Sequence, residues 1–311
     1  MTTPKITVIG SINMDLVTRS PRFPQVGETL LGSGFQRFMG GKGANQAVAA
    51  ARLGAEVQMI GAIGEDDFGR ELLANLQHEG VNTEAVKVLP ALPSGIANIT
   101  VAEGDNHIIV VSGANFGITP ADIEAEEARI AAADIVLCQL EIPMDCVLAA
   151  ARLAKKHARP FVLNPAPARP LSRDLLALVD LITPNQTEAE LLTGVKVTDE
   201  ASAREAATRF HQMGIGEVMI TLGSQGVYCS KGQKQALMPG FRVKAVDTTA
   251  AGDTFNGAFL AAELAGADFD AAVRFVHGAA ALSVTRFGAQ SSIPSKQEVD
   301  AFLLEQTAQG H

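Results

Sequence analysis

Asp247-Thr248-Thr249-Ala250-Ala251-Gly252-Asp253-Thr254-Phe255-Asn256-Gly257-Ala258-Phe259 reads as the end of a strand, a tight turn of small residues, and then a helix. Phe255, Ala258, Phe259 and Ala262 fall at helical apolar spacing, which predicts a helix starting near Ala251–Gly252. Small residues in the turn let an anionic ligand approach the backbone. The first amide N–H groups of a helix lack internal partners, so such a start is an anion site. Asp253 sits among those donors. It either caps the helix or serves as a base beside a phosphate, and the stretch alone leaves both readings open.

A second glycine-rich helix start, Gly40-Gly41-Lys42-Gly43-Ala44-Asn45-Gln46, lies far upstream, followed by Ala47, Val48 and Ala51 at helical spacing and closed by Gly54. It lacks the G-x-x-x-x-G-K-[ST] spacing of a Walker loop. A flexible loop before a helix is the plain alternative.

The rest of the chain alternates. Strand candidates are Ile6–Gly10, Val57–Ile60, Asp134–Cys138, Pro160–Leu163, Leu178–Thr183, Glu217–Thr221 and Gly226–Cys229. Helix candidates run near 68–79, 120–132, 144–157, 172–178, 186–193, 199–213, 253–265, 268–286 and 295–306. Thr119-Pro120 reads as an N-cap with proline at the first helical position, and Ser295 with Glu298 as a capping box. Strands alternating with helices predict an α/β fold: a Rossmann-like, mostly parallel sheet sandwiched by helices. Two β excursions interrupt it. Residues 16–38 are broken by Pro21, Pro24, Gly27, Gly32 and Gly34, with one or two exposed strands between Thr29 and Phe38; residues 94–111 carry a hairpin signal around Gly104-Asp105-Asn106. Together they predict a small separate β-sheet, a lid, whose apolar second face needs a partner. The C-terminal Gln306–His311 reads as frayed.

Polar residues follow several of the strands, where open α/β sheets bind ligands: Asn13 and Asp15 after the first, then Glu141, Asn164, Asn185 and Thr221. With Asp253 they are expected on one rim. Each has a plainer reading: turn chemistry for Asn13 and Asp15, a helix cap for Asn185 with Glu188, a loop carboxylate for Glu141, a hairpin for Gly223 and Gly226. His277 on a helix is the kind of residue that is usually structural. The polar turn Thr285–Ser292 offers oxygens to a hard cation, although such loops ordinarily bind none.

The chain has 311 residues, 47% hydrophobic and 19% charged, with net charge −9. That is enough for one large core, and the negative balance argues against nucleic-acid or anionic-membrane partners. Cys138, Cys146 and Cys229 have no metal-ligand spacing and read as free thiols in a reducing cytoplasm. No secretory h-region is visible, and no apolar run reaches the roughly 18–20 residues of a membrane span.

Taken together, these residues resemble the ribokinase-like carbohydrate kinases. Gly40–Ala47 is similar to that family's N-terminal signature, and Asp247–Phe259 to its C-terminal one. Gly10–Asp15, Asn164–Ala168, Thr183–Glu188 and Thr221–Ser224 match in the expected order. Ala250 departs slightly, since many relatives carry glycine there. The resemblance covers essentially residues 1–311 as a single kinase domain, with the lid formed by about 12–38 and 94–111. It implies an ATP-dependent enzyme phosphorylating a pentose, D-ribose at O5 before 2-deoxyribose or a nucleoside. It further implies Asp253 as general base and the backbone N–H groups of Ala250, Ala251 and Gly252 as an anion hole. Asn13, Asp15, Gly41, Lys42, Asn45 and Glu141 would bind the sugar. Asn185 and Glu188 would act at the phosphate and Mg²⁺ end; Thr221, Gly223, Ser224, Gly226 and Gly252 would line the nucleotide site, with His277 near the adenine. Asp247, Thr249, Ser283, Arg286, Gly288 and Ser292 would match a monovalent-cation (K⁺) site. A homodimer through the lid sheet is implied as well. Two readings from other classes compete. A dinucleotide-dependent oxidoreductase would need G-x-G-x-x-G after the first strand, where Gly10-Ser11-Ile12-Asn13 stands. A non-catalytic sugar-binding protein would have no use for Asp253.

Overall fold

A computed structural model describes residues 3–308. In chain order it contains β1 (Lys5–Ile9), β2 (Asn13–Arg19), β3 (Gly34–Gly40), α1 (Lys42–Arg52), β4 (Glu56–Gly64), α2 (Asp67–His78), β5 (Asn82–Leu89), β6 (Gly95–Ala102) and β7 (Asp105–Val111). There follow α3 (Pro120–Ala125), α4 (Glu127–Ala132), β8 (Ile135–Cys138), α5 (Met144–Lys156), β9 (Phe161–Leu163), α6 (Arg173–Leu176), β10 (Leu181–Ile182), α7 (Gln186–Thr193) and α8 (Glu200–Gln212). The chain closes with β11 (Glu217–Thr221), β12 (Val227–Lys231), β13 (Lys234–Met238), α9 (Ala251–Leu264), α10 (Phe269–Ser283) and α11 (Lys296–Ala308).

The nine-stranded sheet runs β13-β12-β11-β10-β9-β8-β1-β4-β5. Its pairings from β11 to β5 are parallel, and β12 and β13 close the other edge antiparallel. Both faces are buried because the strands are apolar at consecutive positions. Val136 and Cys138 pack into one core with α5 and α8, while Ile135 and Leu137 pack into the other with α1, α9 and α10. The chain leaves β1 toward β4 on one side and returns to β8 on the other. The strand order therefore reverses between β1 and β8, which is where such sheets open a crevice at their carboxyl ends.

The predicted α/β sandwich with a smaller sheet is what forms, with local differences. The expected helix 120–132 is two short helices that meet at Glu126. Helix 268–286 stops at Ser283. The strand expected over Leu178–Thr183 shrinks to β10, and Thr29–Phe38 yields only β3. Strands β5 and β13 have no counterpart in the sequence reading; both are mostly half-buried or exposed edge strands without a clean apolar period. Of the residues read as frayed, Gln306–Ala308 belong to α11 and 309–311 lie outside the described residues. Both anticipated caps are present: Thr119 with Asp122, and Ser295 with Glu298.

The four-stranded sheet has the order β3-β2-β6-β7. It joins the main body at short glycine-containing links. Asp66, the N-cap of α2, accepts from Ser94 N and Oγ at 2.7 Å each, while Ser94 Oγ accepts from Gly64 N at 2.9 Å. Asn115 bridges the link after β1: its Oδ1 accepts from Ile12 N at 2.9 Å and its Nδ2 donates to Asn13 Oδ1 at 2.7 Å.

What brings the two glycine-rich helix starts together is close packing. A Cβ on Gly43 would stand 2.6 Å from Gly10 C and Ser11 N, so α1 lies directly on the end of β1. A Cβ on Gly257 would stand 2.6 Å from Ala49 Cβ and 2.7 Å from Gln46 O, so α9 lies directly on α1.

Candidate active site

The carboxyl ends of β1, β8, β9, β10 and β11 form one rim, and α1 and α9 both begin over it. Two cavities open there. One, about 200 Å³, is lined by Lys42, Asn164, Asn185, Glu188, Thr221, Ala250, Ala251, Gly252 and Asp253 among others. The other, about 230 Å³, is lined by Asn13 and Glu141 together with Ser112, Asn115, Phe116 and Arg169. Asp15 and Asn45 join the two sets: Asp15 feels the charges of Glu141, Asp253 and Lys42, and Asn45 Nδ2 donates to Asp253 Oδ2 at 2.9 Å.

Asp253 lies in the first turn of α9 but accepts side-chain bonds from α1 rather than capping its own helix. Asn45 Nδ2 meets one oxygen and Gln46 Nε2 the other, each at 2.9 Å. The turn before it is strained. Ala250 is left-handed, at φ 59 and ψ 10, a conformation that costs a residue with a Cβ on the order of 1 kcal/mol. The bend presents the backbone of Gly252 to open space, since nothing lies within 4 Å of where a Cβ would stand. Ala251 N donates back to Thr248 O at 3.3 Å, whereas the N–H groups of Ala250, Gly252 and Asp253 have no acceptor among the described residues. The free donors are thus Ala250, Gly252 and Asp253, with Asp253 in place of Ala251 in the expected set Ala250, Ala251 and Gly252.

Charge is concentrated around a single lysine. Burial pulls the Lys42 ammonium down, but Asp253, Glu141, Glu188 and Asp15 outweigh it and hold its pKa above the ordinary lysine value. Burial pushes the Asp15 carboxyl up to about 7, helped by Glu141 and Asp253 and opposed by Lys42. Burial likewise raises Glu188. Ser11 Oγ donates to Glu141 Oε2 at 2.5 Å, tying the ends of β1 and β8 across the switch point. Asn185 and Glu188 do form a reciprocal capping box, and both also line the cavity.

Other anticipated residues stand apart. Gly223 and Ser224 are exposed in the β11–β12 turn. Gly226, at φ 106, has room for no Cβ, because Met238 O would lie 2.1 Å away. His277 is buried on α10, its Nδ1 2.8 Å from Pro239 O, and its pKa is lowered by burial. Neither cavity includes these four. Of the cation set, Asp247, Thr249 and Gly288 converge: Asp247 Oδ1 accepts from Thr249 N and Oγ1 at 2.9 and 2.6 Å, and Oδ2 from Gly288 N at 3.0 Å. The hydroxyls of Ser283 and Ser292 bond to nearby carbonyls, and Arg286 pairs with Glu298. Gln46, Asn115, Gln139 and Asn256 were not singled out from the sequence, yet all are tied into the site.

Residues 3–296 match the model of the pfkB family carbohydrate kinases. The chain is 52% identical to a ribokinase of Haemophilus influenzae over 96% of this chain and 98% of that one. It is 47% identical to a ribokinase of Bacillus subtilis over 96% and 99%. A solved Arabidopsis thaliana ribokinase, complexed with ribose and ATP, superposes with a TM-score of 0.88 at 33% identity, covering 97% of this chain and 99% of that one.

Asp15 generates a pH prediction. Between the ordinary 3.8 and about 7 the folded state holds a proton there that the unfolded chain releases. This contribution to stability is complete below about 4 and is lost as pH rises through about 7. Asp15→Asn is expected to melt roughly 2–4 °C higher than the parent at pH 8, the gap closing toward pH 4.5. Parallel melting curves across that range would contradict it.

Proposed function

The chain belongs to the pfkB family of carbohydrate kinases, and we propose that it transfers the γ-phosphoryl group of ATP to O5 of D-ribose, giving ribose 5-phosphate and ADP. The observation that carries this reading is the Asp253 carboxylate, held by two amides beside unpartnered N–H groups at the start of α9. Phosphoryl transfer needs in-line positioning and charge stabilisation more than covalent chemistry.

Asn13, Asp15, Gly41, Lys42, Asn45 and Glu141 hold the sugar hydroxyls in this reading. Asp253 accepts the O5 proton as the oxygen attacks phosphorus. The free backbone N–H groups of Ala250, Gly252 and Asp253 and the Lys42 ammonium meet the charge that spreads over the transferring group. Asn185, Glu188, Thr221 and Gly252 face the phosphates, and Gly223, Ser224, Gly226 and His277 border the nucleoside end. Mg²⁺, when bound with ATP, supplies neutralisation of phosphate charge. The oxygen donors Glu188, Asn185 and Asp253 share one cavity and suit that ion or its waters. K⁺ would be held by the Asp247–Thr249 turn and the 283–292 loop, largely through backbone oxygens, since Asp247 already accepts three hydrogen bonds. The small sheet serves as the lid over the sugar. Every residue of β7 is exposed, including Ile108, Ile109, Val110 and Val111. An apolar edge strand of this kind suits pairing with a second copy of the chain, hence a homodimer.

Initial rates with ribose, 2-deoxyribose, fructose and adenosine at fixed MgATP test the substrate; ribose is expected to lead, and a preference for adenosine would reject it. Asp253→Asn is expected to lose about 10²–10⁴-fold in turnover while calorimetry still detects ribose and ATP binding; near-normal turnover would remove the base. Activity should be higher in K⁺ than in Na⁺ or Li⁺, and equal rates in the three salts would exclude the cation site. Light scattering should give a dimer mass, and a monomer would contradict the edge-strand interface.

A further inference from the structure

Gln46 follows Asn45 on α1, is fully buried, and lines neither cavity. Its amide is nonetheless wired to the site. Gln46 Nε2 donates to Asp253 Oδ1 at 2.9 Å and to Asn164 Oδ1 at 3.0 Å. Gln139 Nε2, also fully buried, donates to Gln46 Oε1 at 2.6 Å. Asn164 Nδ2 donates onward to Thr183 O at 2.9 Å. The direction of this relay follows from its end. An ionised carboxylate only accepts, so Gln46 must turn its nitrogen toward Asp253 and its oxygen toward Gln139. Gln139 must then present its nitrogen, which leaves its Oε1 buried without a partner. A Cβ at Gly10 would stand 2.0 Å from that oxygen, so the Gln139 amide fits because residue 10 has no side chain. A buried orphan acceptor is costly, and a half-satisfied amide network is a poor way to fill a core. Stability alone does not account for it.

We propose that Gln46 is a positioning residue for phosphoryl transfer, acting through Asp253. With Asn45 it clamps both carboxylate oxygens, and Gln139 and Asn164 lock Gln46 in turn. The inference rests on the kinase reading above. Lys42 of α1, Asp15 of β2 and Glu188 of α7 face the same carboxylate by charge, with Glu141 after β8 acting on Asp15 and Lys42.

The test is Gln46→Met, which keeps the side-chain length and removes the amide. Turnover of ribose with MgATP is expected to fall about 10- to 100-fold while the KM for ribose stays within about threefold, because Gln46 does not reach the sugar cavity. A folded Gln46→Met with parental kcat, or one in which the KM for ribose rises in step with the loss of kcat, overturns the proposal. If that variant does not fold, Gln139→Met, one bond further out, should show the same pattern with a loss of about 3- to 10-fold, and parental behaviour there overturns it equally. A parent chain inactive on ribose would instead reject the kinase reading.

Discussion

The contact between α1 and α9, closed by Gly257 on Ala49 and by Gly43 on the end of β1, sets the distance at which everything else operates. A Cβ at Gly257 or Gly43 would stand 2.6 Å from its neighbour, too close for the elements to keep this contact. At contact, the amides in the first turns of α1 reach the carboxylate in the first turn of α9. Two elements some 200 residues apart in sequence, an interval of |i−j| 208 between Asn45 and Asp253, thereby share one anion-binding corner. The parallel sheet supplies the floor, because its carboxyl ends all face the same way and deliver Asn164, Thr183 and Thr221 beneath that corner.

The same corner is electrostatically expensive. Asp15, Glu141, Glu188 and Asp253 surround one lysine, and burial works against the charged forms of Asp15 and Glu188. Ala250 adds backbone strain. Such departures from the most stable arrangement gather where a ligand is handled, and the well-packed cores on either side of the sheet offset them. Sugar hydroxyls bring the donors that these carboxylates lack when alone, and phosphate oxygens bring acceptors for the free N–H groups at the start of α9.

Much of this was legible before the structure. The apolar runs gave the parallel strands, glycine and small residues marked both helix starts, and polar residues after strands marked the rim. Edge strands β5 and β13 were not legible, because half-exposed strands carry no period that separates them from loops. The break at Glu126 is invisible to a pattern that stays helical across it. In the site, Asp253 and Asn45 stand out through the family resemblance. Gln46 shares the glycine-rich stretch with Asn45, yet neither it nor Gln139 stands out, since a buried amide looks in sequence like any other polar residue until its partners, |i−j| 93 apart, are known. Capping a helix and lining the cavity are compatible for Asn185 and Glu188, which complete a capping box and still face the cavity.

Asn13 and Asp15 belong to β2 of the small sheet, whereas Lys42 and Asp253 belong to the main body. A ligand that touches both sets is a staple between two sheets joined by a few glycine-bearing links. If the sheets rotate about those links, its measured affinity is the intrinsic affinity multiplied by the fraction of molecules whose sheets already stand in place. Residues that never meet the ligand, such as Asp66 and Ser94 at a link, enter that fraction on the same footing as those that do. How tightly a sugar is held becomes in part a property of how the two sheets are hinged.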